Sequence, residues 1–217
     1  MMSDRAFRLT IYANGFILGF ALMGFEMLGS RFLNPWFGSG INTWAALISV
    51  TLFALMVGYF LGGRLVDRWP TTTLVGWLVA AAAVTMVLIV VPIGGLSEDP
   101  QHWQYLGETM MLSVGESIQD ERLGVTLAAF VLIFAPICLI ACYSPFAVRL
   151  LLISTDSSGR QVGTVYGIST FGNILGTLGT TFWLVPSMGS KAITITFAAI
   201  CVISAVWLIL VGRWRRA

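Results

Sequence analysis

The chain has 217 residues, 57% hydrophobic and 10% charged, with a net charge of +2 and a mean hydropathy of +0.87. A soluble domain carries about 25% charged residues, so this composition excludes a soluble globular fold and points to an integral membrane protein. The small net charge leaves no basic surface for nucleic acid.

Residues 1–8 are short and basic, but the apolar run that follows lacks a small-x-small cleavage site, so no cleavable signal peptide is expected. Hydropathy predicts six spans in a single domain, residues 1–217. The first covers 9–28, with Asn14 near its start and Glu26 near its end. A carboxylate there costs about 2–3 kcal/mol unless paired, protonated or hydrated. Arg31 is the nearest partner in sequence, but five residues on a helix place the two about 140° apart. Two readings stay open: an ion pair locking the span's end, or a cation- or proton-binding carboxylate facing a cavity.

The second span, 44–66, ends in Gly63-Arg64-Leu65-Val66-Asp67-Arg68 before Trp69-Pro70, where a helix must stop. Arg64 and Asp67 fall on one face of that end. The third span is 74–96, and a polar loop, 97–122, follows. Within it Trp103, Tyr105, Leu106, Met110, Met111 and Val114 have the spacing of a short surface-lying amphipathic helix. The fourth span, 123–152, contains Pro136 and Pro145, and a bend is expected at each. Cys138, Cys142 and Cys201 sit inside apolar runs as small buried groups, without metal-site spacing.

The fifth span, 161–186, is the most informative. Tyr166, Thr170, Asn173, Thr177 and Thr181 recur every three or four residues and make one polar stripe. Gly163 with Gly167, and Gly172 with Gly176, stand four apart and suit close helix approach. Such a face must meet protein or a water-filled cavity, either as interhelical glue or as a substrate-lining surface. The sixth span is 192–211.

With both termini inside, the inner segments hold nine arginines: Arg5, Arg8, Arg64, Arg68, Arg149, Arg160, Arg213, Arg215 and Arg216. The outer ones hold three basic residues, Arg31, Arg122 and Lys191. That bias predicts cytoplasmic termini.

Gly63, Leu65, Asp67 and Arg68 resemble the loop signature of the major facilitator superfamily, whose loop latches helices on the cytoplasmic side. Four patches in order resemble the membrane domain attached to many bacterial spermidine synthase-like proteins, often described as fused to a facilitator-like region. They are 25–31 with Phe37-Gly38; 58–68; 136–145; and the fifth span with Gly159, Gly163, Tyr166, Thr170, Gly172, Gly176, Pro186 and Gly189. Ser169 stands where that family commonly has asparagine.

The resemblance covers most of the chain apart from the outer loop. It implies an all-α polytopic bundle in the bacterial inner membrane, like one half of a facilitator transporter. No strand, glycine turn and helix pattern exists for a synthase domain, no catalytic constellation appears in any span, and no cofactor or metal is called for. One expected function is handling of a small cation such as a polyamine. Glu26, Tyr166, Thr170, Asn173 and Thr177 would bind it, and Arg31, Arg64, Asp67, Arg68, Pro136 and Pro145 would serve structure and gating. The alternative is a non-catalytic membrane subunit that anchors a soluble aminopropyltransferase-like enzyme or joins a larger complex. A lone half-transporter would need a second copy or another subunit in the bilayer.

Overall fold

The computed structural model describes residues 3–94, 104–118, 120–152 and 158–214; Trp103, Arg215 and Arg216 lie outside them. Ser3 caps the first helix, α1 (Asp4–Phe37), by accepting from the Ala6 N–H at 3.3 Å. Gly38 then turns the chain at φ +70°, a region open to glycine. Thr43 fixes the turn by donating to the Gly38 carbonyl at 2.8 Å. Helix α2 (Ile41–Arg68) stops before Pro70, which forces Trp69 out of helical geometry.

Thr71 caps α3 (Thr72–Ile89), which ends short of the predicted residue 96. Pro92 cannot donate to a continuing helix and restricts Val91 before it. The chain instead forms a short antiparallel pair, β1 (Pro92–Gly94) with β2 (Gln104–Tyr105). The amphipathic helix expected in this loop is α4 (Leu106–Ser117). Its Met111 is buried against the bundle rather than presented to a membrane surface.

The predicted fourth span is interrupted once. Helix α5 (Glu121–Ala141) passes through Pro136 without a break, and α6 (Tyr143–Leu151) resumes after Cys142. The break falls where Pro145 would need to bond, and its ring would strike, the carbonyl four residues back, that of Ala141. The fifth span runs as α7 (Ser158–Gly179), a π-helical turn over Thr180–Leu184 and a last short turn, α8 (Val185–Ser187). Helix α9 (Ser190–Trp214) closes the chain.

Among the described residues five helical stretches are long and apolar enough to cross a bilayer: α1, α2, α3, α5 with α6, and α9. They fit a multi-pass membrane protein. Helix α7 is not one of the five. Its glycines, threonines and Asn173 dilute the apolar run, and among its residues only Val165, Gly172 and Gly176 are buried.

Three helix pairs build the bundle. Helices α1 and α7 run parallel: a Cβ on Gly172 would strike the Phe16 carbonyl oxygen, and one on Gly176 that of Phe20. Helices α2 and α5 run parallel in the same manner. Gly58 abuts the Cys138 carbonyl, and Gly62 meets the Cys142 carbonyl and the Pro145 ring. Helices α3 and α9 run antiparallel, with Gly76 on Ala205 and Ile209, and Gly212 on Thr72 and Thr73. Exchanging α1 with α5, α2 with α7 and α3 with α9 therefore maps the packing onto itself. These directions gather Arg5, Arg8, Arg64, Arg68, Arg149, Arg160 and Arg213 at one end, leaving Arg31, Arg122 and Lys191 at the other.

Gly163 and Gly167 have nothing within 4 Å of a Cβ position. They make no close contact within the chain, unlike the pair at 172 and 176. The three cysteines are buried and free, as expected of small core groups.

Candidate functional site

Helices α1, α2, α6 and α7 converge on a narrow cleft of about 40 Å³. That volume holds at most about three waters. Its polar groups come from Tyr59 on α2, Tyr143 and Ser144 at the start of α6, and Ser169 and Asn173 on α7. The close approach at Gly19, which abuts the Ser169 carbonyl and Asn173, lets α7 bring these groups so near α1. The break before α6 turns Tyr143 and Ser144 inward. Tyr143 spends its hydroxyl on the Ile11 carbonyl, whereas Ser144 faces Tyr59 as a hydrogen-bonding neighbour, with Tyr166 close by. Asn173 Oδ1 is buried and accepts no hydrogen bond.

Glu26 lies deeper on α1. Its side chain is 4% exposed, and Oε2 has no hydrogen-bond partner. Thr51 on α2 faces it, and the Thr51 hydroxyl accepts no hydrogen bond. Glu26 follows Leu22 by four residues and Thr51 precedes Leu55 by four, and both leucines line the cleft. The carboxyl is thus about one turn, roughly 6 Å, beyond the cleft floor, with Leu22 and Leu55 between.

The two readings left open for Glu26 now separate. Arg31 does not pair with it. The guanidinium instead donates to the carbonyls of Val185 at 2.6 Å and Met188 at 3.0 Å, capping the end of α8. This is what a separation of about 140° between the two side chains dictates.

The predicted polar stripe divides. Tyr166, Thr170 and Thr181 are exposed, and Asn173 turns into the cleft. Thr177 donates to the Asn173 carbonyl of its own helix at 3.0 Å. At the end of α2, Arg64, Asp67 and Arg68 are exposed. Among the described residues Arg64 and Asp67 make no ion pair, and Arg68 stacks over the Trp69 ring at 4.9 Å. Pro145 shapes the cleft rim through the break before it, whereas Pro136 is buried within α5 away from the cleft.

Tyr59, Ser144 and Thr51 were not among the expected site residues. Tyr59 and Thr51 are single hydroxyls in apolar runs and Ser144 follows Tyr143, and only the helix pairing brings them together. Asn173 Oδ1 and Glu26 Oε2 are unpartnered acceptors here, beside the unpartnered Thr51 hydroxyl, which can donate. The chemistry they support is recognition of hydrogen-bond donors or a cation, since an orphaned buried acceptor costs about 1–3 kcal/mol until a donor arrives. No family model, curated protein or solved structure matches the chain.

Proposed function

We propose that the chain is a transporter-like membrane protein whose cleft takes a small donor-rich cation, plausibly of the polyamine class. The observation that carries this reading is the pair of buried, unpartnered acceptors, Asn173 Oδ1 in the cleft and Glu26 Oε2 about one helical turn beyond its floor. The cleft is too small for such a ligand as it stands, so entry requires α7 or α6 to move. Packing on narrow glycine contacts suits α7 to that motion.

The exchange symmetry supports a bundle of two three-helix repeats, with α7 as a sixth crossing. Three crossings per repeat make the repeats inverted, the arrangement found within each half of a facilitator transporter. Clustering of arginines at the end that bears both termini supports a cytoplasmic placement of that end, and the inner membrane of a bacterium as its location. The resemblance to the membrane domain of spermidine synthase-like proteins favours an amine over other cations.

The exposed Arg64, Arg68 and Arg213 at that end favour a second reading, a membrane subunit that docks a soluble acidic partner such as an aminopropyltransferase-like enzyme. Spermidine binding to the purified chain separates the two. Saturable binding that Glu26→Gln abolishes, with thermal stability retained, supports the transporter reading. Absence of binding, together with a partner that Arg64→Gln and Arg68→Gln release, overturns it in favour of the subunit.

A further inference from the structure

A second concavity lies away from the cleft, between the N-terminal half of α1 and the C-terminal half of α9. It is a groove of about 730 Å³ walled by Leu9, Ala13, Ile17, Phe20, Ile203 and Trp207. Helices α1 and α9 are antiparallel, so one end of the groove lies at Leu9 and Trp207 and the other at Phe20. The inner end is closed by the Phe20 and Phe197 rings, whose centroids are 6.1 Å apart. Three polar residues, Thr10, Asn14 and Ser204, line the groove, and the last two bond to each other. Ser204 donates to Asn14 Oδ1, and Asn14 Nδ2 donates to the Thr10 carbonyl at 2.9 Å. Thr10 is itself nearly buried, so an occupant meets the groove chiefly through apolar contact.

Two features identify the occupant. From Leu9 to Phe20 the groove runs about 17 Å at 1.5 Å per residue, close to the half-thickness of about 15 Å of a bilayer's hydrocarbon core. A partner helix would run the whole thickness, whereas an acyl chain ends at the midplane. At the open end stand Arg5, one turn before Leu9 on the same face, with Arg8, and Arg213 beyond Trp207. Trp214, half-exposed, lies two turns beyond Trp207 on the same face of α9. Arginines beside an indole at the mouth of an apolar groove complement an anionic headgroup.

We infer that the α1/α9 groove binds one acyl chain of an anionic phospholipid from the leaflet on the arginine-rich side, with its headgroup held by Arg5, Arg8 and Arg213. This site is independent of the cleft, so its failure leaves the cation reading untouched.

The test uses the full chain in vesicles of phosphatidylglycerol or phosphatidylcholine with brominated acyl chains. Quenching of Trp207 is read as the difference between the unaltered protein and Trp207→Phe. The expected result is at least about five-fold tighter association with phosphatidylglycerol, since each basic residue near an anionic surface adds about 1 kcal/mol. That preference disappears in the Arg5→Gln, Arg8→Gln, Arg213→Gln variant. Ala13→Trp, at an exposed position in the groove, fills it and removes the Trp207 signal; Ile203→Trp serves if that variant does not fold. Equal quenching by the two lipids overturns the proposal, as does quenching that survives a filled groove. A chain dimer that Ala13→Trp dissociates would assign the groove to a second copy and overturn it as well.

Discussion

Arg31 and Val185 stand 154 positions apart, yet the guanidinium of one donates to the main-chain carbonyl of the other at 2.6 Å. This bond ties the C-terminal part of α1 to the end of α8 and leaves Glu26 without a counter-charge. Charge within the membrane is thus divided between two roles. The arginine secures a helix end, and the carboxyl stays buried beside Thr51 with no charged partner among the described residues.

The first prediction follows from that division. Arg31→Met should destabilise the fold by about 1.5–3 kcal/mol, the worth of hydrogen bonds from a charged donor. Glu26→Gln should cost little, because no ion pair is lost. In a double-mutant cycle on thermal stability the coupling between the two should stay within about 0.5 kcal/mol, as for residues that share no partner. A coupling above about 1 kcal/mol would mean that the two side chains pair after all.

The glycines of α7 make a sharper contrast. Gly172→Ala and Gly176→Ala drive a methyl into the Phe16 and Phe20 carbonyls, and overpacking of this kind costs about 1–3 kcal/mol. Gly163→Ala and Gly167→Ala meet nothing within 4 Å and should be neutral or stabilising by up to about 1 kcal/mol, since alanine is the better helix former. Gly58→Ala on α2 should behave like Gly172→Ala, because it occupies the equivalent place under the exchange of helix pairs. Thermal unfolding in detergent distinguishes all five variants. Loss of stability at Gly163 or Gly167 would show instead that this face is covered by another subunit.

The contrast also marks how far the sequence could be read. The long apolar helices follow from hydropathy because each has enough consecutive apolar residues to cross a bilayer, whatever its neighbours. The stop at Trp69 and the break before Pro145 follow from proline's missing N–H, a local cause that needs no tertiary information. The two glycine pairs of α7 are indistinguishable by spacing, and only the crossing with α1 decides which of them meets a backbone. The same limit hid the cleft. Asn173 was visible as a polar residue in an apolar helix, but Tyr59 and Ser144 belong with it solely because α2 pairs with α5. Of the two readings open for Glu26, the pair with Arg31 is not formed, and the helix repeat already set the two side chains about 140° apart.

Asn14 and Ser204 join α1 to α9 through a bond buried from water. Ser204→Ala would leave Asn14 Oδ1 without a donor and should cost about 1–3 kcal/mol. Replacing both, with Asn14→Leu and Ser204→Ala, removes the acceptor together with its donor and should recover most of that loss. Chemical or thermal denaturation of the three variants reads the difference. If the double variant is no more stable than Ser204→Ala, the bond contributes shape to the helix crossing beyond its hydrogen bond.

Asn173 should behave in the opposite sense. Its Oδ1 is buried and unpartnered, so the fold carries the desolvation cost of an amide acceptor with no compensating bond. Asn173→Leu is close to volume-conserving and removes that acceptor, so it should stabilise the protein by about 1 kcal/mol or more. If the acceptor is kept for a ligand, the same change should weaken spermidine binding about ten-fold, the effect of losing about 1.4 kcal/mol. Stability and binding would then move in opposite directions, the trade expected where a site is held in a strained or unsatisfied state. A variant that is both more stable and fully binding would remove Asn173 from the site and leave Glu26, beyond the cleft floor, as the acceptor to test. A less stable variant would mean that the Asn173 amide is structurally required, and that α7 is held to α1 by more than its glycines.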